Sequence, residues 1–130
     1  MAIAARETAY APYSGFTVGA ALLTTSGAVY TGCNIENAAY SPTVCAERTA
    51  VFKAVSEGNR TFSMLAVAGG KKGTLSAAFP PCGVCRQVLA EFCPPDFPIL
   101  LVTGADTFMD TSLQELLPCG FSPAILSEEE

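Results

Sequence analysis

Histidine is absent from all 130 residues, and that absence removes Ser-His-Asp and Cys-His catalysis, HExxH metalloprotease chemistry and every His-ligated metal centre. Charge is scarce too: Asp, Glu, Lys and Arg make up 15% of the chain, against roughly 25% in an ordinary soluble domain. A surface so poor in charge points to cover by other copies of the same chain, so an oligomer is expected. Positive charge is the scarcer sign, with seven Lys and Arg against twelve Asp and Glu, and only Lys71-Lys72 adjacent. Binding a phosphate backbone needs clustered positive charge; no polymeric nucleic acid partner is expected, and Lys71-Lys72 reads as a loop tip. Part of the acid excess sits in Glu128-Glu129-Glu130, which reads as a solvated tail. No apolar run approaches membrane-spanning length, and Arg6 and Glu7 break the apolar stretch of Met1–Tyr10, so neither a membrane partner nor a signal peptide is expected. A reducing cytoplasm is then the expected compartment.

At this length a chain hides roughly two-thirds of the surface its unfolded form would expose, so one core suffices without disulfide staples. No repeat, linker or shift of composition divides it, and residues 1–130 read as a single domain. Ala2–Ala9 reads as a helix end stopped at Ala11-Pro12, because proline disfavours helical geometry in the residue before it. Phe16–Thr24 and Ala28–Cys33 read as strands around a Ser26-Gly27 turn. Ala46, Ala50, Val51, Ala54 and Val55 recur at helical spacing, with Ser41 or Thr43 as start signals and Gly58 past the end, a helix of about four turns. Phe62–Ala68 suits a strand buried on both faces, Gly69–Pro81 a loop, Val84, Val88, Leu89 and Phe92 a second amphipathic helix, and Ile99–Thr103 another buried strand. Leu113–Leu117 reads as a last helical turn. The alternation that follows the hairpin means an α/β chain, a mixed sheet with helices on its faces.

Six cysteines stand at positions 33, 45, 82, 85, 93 and 119. In a reducing compartment, metal binding or catalysis is the better use for them. Cys82-Gly83-Val84-Cys85 opens the second helix, and a spacing of three puts both sulfurs near one face of its first turn. The helix N-terminus favours the thiolate that a metal requires, although redox dithiols use the same spacing. Cys45-Ala46-Glu47 opens the first helix and supplies a third thiol. Three thiolates leave one position of a tetrahedral zinc open, the mark of a catalytic rather than a structural site. Zinc lowers the pKa of bound water to about 7, and Glu47 could then move its protons as general acid and base. Residues two apart in a regular helix point about 200° apart, so Cys45 must lie at the irregular helix start. The plain alternative for Glu47 is a solvated first-turn acid favoured by the helix dipole.

Three thiolates on one Zn²⁺ leave net negative charge, and Arg48, three residues after Cys45, is placed to offset it by donating to the sulfurs; a surface arginine is the alternative. Asn34 and Glu36 project to one side just past the second strand. An amide beside a carboxylate matches two neighbouring sugar hydroxyls, but spacing alone favours ordinary turn residues.

The run Asn34-Ile35-Glu36-Asn37-Ala38-Ala39-Tyr40-Ser41-Pro42 through Cys45-Ala46-Glu47-Arg48-Thr49-Ala50, with Pro81-Cys82-Gly83-Val84-Cys85-Arg86-Gln87, closely resembles the small homotetrameric cytidine deaminases. The resemblance extends from Ala11-Pro12-Tyr13-Ser14-Gly15-Phe16 to Glu115-Leu116-Leu117-Pro118 and Phe121. It implies a three-layer α/β/α fold around a five-stranded mixed sheet, a homotetramer, and hydrolysis of cytidine and 2'-deoxycytidine to uridine and 2'-deoxyuridine with release of ammonia, as in pyrimidine salvage. It also implies one zinc per subunit on Cys45, Cys82 and Cys85, with Glu47 as proton shuttle and Arg48 tempering the thiolate charge. For the nucleoside it implies Asn34 and Glu36 on the ribose hydroxyls, Phe16 against the pyrimidine and the backbone around Ala46 on the base edge. Tyr40 and Phe121 would reach a neighbouring subunit's sugar and base.

Three departures from that pattern stand out: a first helix that starts late, a long Gly69–Pro81 loop with Pro80 where Ser or Thr is more usual, and surplus thiols at Cys33, Cys93 and Cys119. Three other readings stay open: a deaminase of a cytosine nucleoside antibiotic such as blasticidin S, a structural zinc module closed by a fourth cysteine, and a dithiol redox protein using Cys82 and Cys85.

Overall fold

Along β1 (Phe16–Thr24) the side chains of Val18, Ala20 and Leu22 enter the core while Gly19 faces the other way. Those two faces receive different helices in the computed structural model, which describes residues 1–127. A side chain on Gly19 would collide with the backbone of Ala2 and Arg6, so the bare strand lets α1 (Ala2–Ala5) and the 3₁₀ turn Arg6–Thr8 lie directly on one face. On the opposite face Gly32, paired with Ala20 from β2 (Val29–Cys33), leaves room for the first turns of α2 (Ala46–Ser56). The third helix, α3 (Gly83–Phe92), shares that face and buries Leu89 and Ala90 in the same cluster.

The sheet has five strands in the order β2-β1-β3-β4-β5, where β3 is Phe62–Lys71, β4 Pro98–Val102 and β5 Phe108–Ser112. β1 pairs antiparallel with β2 and β3, β3 parallel with β4, and β4 antiparallel with β5. This is the expected mixed sheet. Leu22, Leu65, Leu89, Phe97 and Ile99 are fully buried between sheet and helices, each contributing about 1.5–3 kcal/mol through lost contact with water. Two four-residue helices, α4 (Leu113–Leu116) and α5 (Pro123–Leu126), follow.

Several elements differ from the sequence reading. β3 does not stop at Ala68: it runs through Gly69 and Gly70, which pair with Val18 and Thr17, so Lys71 ends a strand and only Lys72 sits in the following turn. α2 starts three turns from its end rather than four, with Cys45 and neither Ser41 nor Thr43 as its N-cap, while Gly58 follows its end at φ +97°. Val84 is exposed, the buried face of α3 being Cys85, Leu89 and Ala90. β5 and α5 had no counterpart in the pattern reading. The expected tail Glu128-Glu129-Glu130 lies outside the described residues.

Candidate active site

α2 and α3 begin close together, and each begins on a cysteine. Cys45 is the N-cap of α2, with extended backbone (φ −80°, ψ 159°), and Cys82 is the N-cap of α3 (φ −69°, ψ 169°). Neither thiol caps its own helix. The sulfurs turn toward each other instead, 3.5 Å apart, and Cys85, one turn into α3, completes a trio whose sulfurs all lie within 4.8 Å of one another. The extended backbone at Cys45 answers the angular objection, since its side chain does not follow the helical rotation that carries Glu47.

Both helix N-termini direct partial positive charge at this cluster. A hydrogen bond from the Cys85 thiol, with donation from Arg48 and Cys82, holds Cys45 down at about 5. Cys85 is correspondingly pushed up, first by that shared bond and then by burial. The two thiols therefore share a proton, with the negative charge resting on Cys45. Arg48 Nη2 donates to Cys45 Sγ at 3.5 Å. Burial opposes its charge, yet the hydrogen bonds to Cys45 and Cys85 overcome that and strengthen its hold on its proton.

Glu47 is 3% exposed, and its Oε1 is buried with no hydrogen-bond partner among the described residues. Burial raises its pKa to about 7. A solvated first-turn acid would be exposed and ordinary, so that alternative fails.

The trio fits a zinc ion. Three sulfurs at about 2.3 Å from a tetrahedral centre would stand roughly 3.8 Å apart, close to the observed Cys45–Cys82 separation of 3.5 Å. The orphaned Glu47 Oε1 beside them is what a site for a metal and its water leaves on a protein. Among the described residues no fourth His, Cys, Asp or Glu joins this cluster, and no other cluster of its kind forms. Cys33 takes a bond from the Thr8 hydroxyl at 3.5 Å, Cys93 packs against the core, and Cys119 is exposed. A site closed by a fourth cysteine is thus not formed, and a two-thiol redox centre leaves the third sulfur unexplained.

Asn34 and Glu36 do project to one side of their segment, with Ile35 exposed between them. Their polar atoms bind β1 and the turn before it. Asn34 Oδ1 accepts from Val18 N at 2.9 Å and Nδ2 donates to Phe16 O at 2.8 Å. Glu36 Oε1 accepts from the Tyr13 and Ser14 amides, both at 3.0 Å, and Oε2 from the Ser14 hydroxyl. That hydroxyl bond, with the amides of Ser14 and Tyr13, holds the Glu36 carboxyl below its ordinary range. Residues 13, 14, 36, 37, 40 and 43 line a cavity of about 340 Å³. Tyr40, at φ +65°, meets Tyr13 edge-on with ring centres 5.9 Å apart. Phe16 lies 6.1 Å from Phe79, Ala46 is fully buried beneath the start of α2, and Phe121 is exposed, its carbonyl held by Gln87 at 2.8 Å.

Residues 1–101 match the model of the cytidine and deoxycytidylate deaminase zinc-binding region. A cytidine deaminase of Sporosarcina psychrophila is 54% identical over 123 residues, covering 95% of this chain and 88% of its own. One from Halalkalibacterium halodurans is 51% identical over 121 residues, covering 93% and 89%. The crystal structure of cytidine deaminase from Burkholderia pseudomallei superimposes with a TM-score of 0.84 at 47% identity, covering 92% of this chain and 93% of that one. The chain belongs to the cytidine deaminase family.

That membership makes it an enzyme of the deaminase class and carries the deaminase fold. A blasticidin-S deaminase from Bacillus cereus is more distant, at 30% identity over 109 residues with 81% and 76% covered. Three residues around this deaminase site escaped the sequence reading. Ser14 and Phe79 announce themselves only through contacts with Glu36 and Phe16, distant in sequence. Arg86 stands in the quoted motif, but nothing in its spacing marks its bonds to Pro81 O at 2.7 Å and Leu116 O at 2.5 Å.

Proposed function

We propose that this chain hydrolyses cytidine and 2'-deoxycytidine to the corresponding uridines, releasing ammonia, with one zinc per subunit on Cys45, Cys82 and Cys85. The observation that carries this reading is the buried, unpartnered Oε1 of Glu47 beside three converging sulfurs. Zinc, when bound there, supplies Lewis acidity that brings a water's ionisation near neutral pH. Glu47 takes a proton from the attacking water and delivers it to ring N3, which makes C4 electrophilic. It then moves the remaining hydroxyl proton to the exocyclic nitrogen, which leaves as ammonia. Water is consumed, one C–N bond breaks and one C–O bond forms. A carboxyl poised near 7 suits both directions of transfer. Arg48 keeps the thiolates from over-neutralising the cation by taking up part of their charge.

Asn34 and Glu36 bind the ribose hydroxyls: Glu36 Oε2 retains acceptor capacity beside Ser14, and Asn34 a second amide hydrogen. Phe16 packs on the pyrimidine, and backbone around Ala46 reads the base edge. The chains assemble as a homotetramer in which Tyr40 and Phe121 serve a neighbouring site, a reading supported by the exposure of both rings on a chain with few charges. A cytoplasmic place in pyrimidine salvage fits thiols that must stay reduced; among the described residues no helix is long and apolar enough to cross a membrane. The test is the fall in ultraviolet absorbance when zinc-loaded protein meets cytidine, 2'-deoxycytidine or blasticidin S. Decay with the first two supports the reading, and decay with blasticidin S alone overturns it.

A further inference from the structure

The helix that supplies two of the three sulfurs lacks the usual lock on its first turn. An N-cap side chain ordinarily accepts a backbone N–H and fixes the turn, contributing about 1 kcal/mol. The Cys82 thiol does not, because it is turned toward Cys45. Cys82 also follows two prolines, of which Pro81 is buried and has no N–H of its own.

Arg86 restrains that turn by another route, donating to its carbonyls instead of accepting from its amides. The backbone N–H of residue 86 donates to Cys82 O at 3.0 Å, the first ordinary bond of α3, and the side chain adds the second hold. Its Nε donates to Pro81 O at 2.7 Å. The two carbonyls belong to the peptide groups on either side of the Cys82 α-carbon, so holding both fixes φ and ψ of Cys82 and hence the direction of its Cα–Cβ bond, from which the sulfur is presented. The guanidinium is itself anchored, since Nη1 donates to Leu116 O at the end of α4, 2.5 Å away. We propose that Arg86 is a positioning residue that aims the Cys82 sulfur at the metal. Its side-chain hydrogen bonds go to the backbone carbonyls of Pro81 and Leu116, and it acts through them. Lysine could reach one of the carbonyls but not hold two diverging ones, because it lacks the planar fork.

The inference rests on the metal-dependent reading of the site, but its test needs no substrate. Arg86→Gln and Arg86→Lys are loaded with zinc and titrated against a chromogenic chelator, and with Co²⁺ to record the absorption of a thiolate-bound ion. The metal-free proteins are melted in parallel. Losing a residue that orients a ligand typically weakens metal binding about 10–100-fold, and the expected result is a loss in that range with an altered cobalt spectrum and an unchanged metal-free melting temperature. Arg86→Lys should recover part of the loss, and it stands in if Arg86→Gln does not fold. A loss below tenfold overturns the proposal, as does one matched by an equal loss of stability in the metal-free protein, the signature of a merely structural arginine. Zinc-loaded wild-type protein that leaves cytidine intact would instead sink the proposed activity and leave this measurement standing.

Discussion

Gly32→Ala should damage the site without replacing any residue that the site is built from. A Cβ added at Gly32 would stand 2.5 Å from Ala46 O, 2.6 Å from Ala50 N and 3.0 Å from Thr49 Cβ. Carbon contacts are at ease at about 3.5–4.0 Å, so the first turn of α2 must retreat by roughly 1 Å. All three atoms belong to α2, which carries Glu47 and begins on Cys45. Overpacking of this kind costs about 1–3 kcal/mol, which for a chain of this size is roughly 4–12 °C in melting temperature. A misplacement of 1 Å in a reacting group costs on the order of 10²-fold in rate. The assay is thermal melting of the zinc-loaded protein together with kcat/KM for cytidine. Gly83→Ala is the control, because a Cβ there meets nothing within 4 Å and Gly83 has no left-handed φ; it should be near neutral in stability. Gly32→Ala with wild-type melting and a kcat/KM within about threefold of wild type would refute the close approach of α2 to β2 as what seats Cys45 and Glu47.

Replacing Cys45, Cys82 or Cys85 singly with serine should abolish tight zinc retention, whereas Cys33, Cys93 or Cys119 to serine should leave zinc content at wild type by elemental analysis. In metal-free protein Glu47 binds its proton more tightly folded, near 7, than unfolded, near 4.5. Its contribution therefore declines as pH rises through that window, by about 3 kcal/mol at 1.36 kcal/mol per unit. Cys45, held down at about 5, works in the opposite sense over the same range, so the Glu47 contribution is read as the difference between wild type and Glu47→Gln in denaturant titrations at pH 4.5 and 8, which should shrink as pH rises. Burial pushes the Cys93 thiol up to about 12, so in native protein it should be inert to thiol reagents at pH 8 and react only on unfolding, as labelling followed by mass spectrometry will show.

The site was more legible in the sequence than the scaffold that carries it. Cys45, Glu47, Cys82 and Cys85 announce a metal because their residue types and local spacing carry the chemistry, and spacing is preserved when helices form. Boundaries fared worse where side chains serve something other than local structure. Ser41 and Thr43 have the better capping chemistry, yet Cys45 takes the N-cap of α2 because its position is dictated by the cluster. Gly69-Gly70 reads as a loop by propensity, but tertiary packing keeps it in the sheet: the ring of Phe79 lies over Gly69 and the backbone of Thr74 over Gly70, where any side chain would collide. β5 was silent because it is an edge strand paired on one side only, with Asp110 in its middle and Phe108 and Met109 both exposed, so burial leaves no alternation to read. Contacts such as those of Arg86 with Leu116 and of Ser14 with Glu36 join residues far apart in sequence, and no local pattern encodes them.

The central claim is that Glu47 moves protons at a three-thiolate metal site. It is tested most directly by kcat for cytidine in Glu47→Gln, with zinc content and melting temperature measured on the same sample. A neutral isostere keeps the shape and burial but cannot accept the proton, so zinc and fold should persist while kcat falls by at least about 10²–10⁴-fold. Zinc-loaded Glu47→Gln that turns cytidine over within about tenfold of wild type would contradict the account.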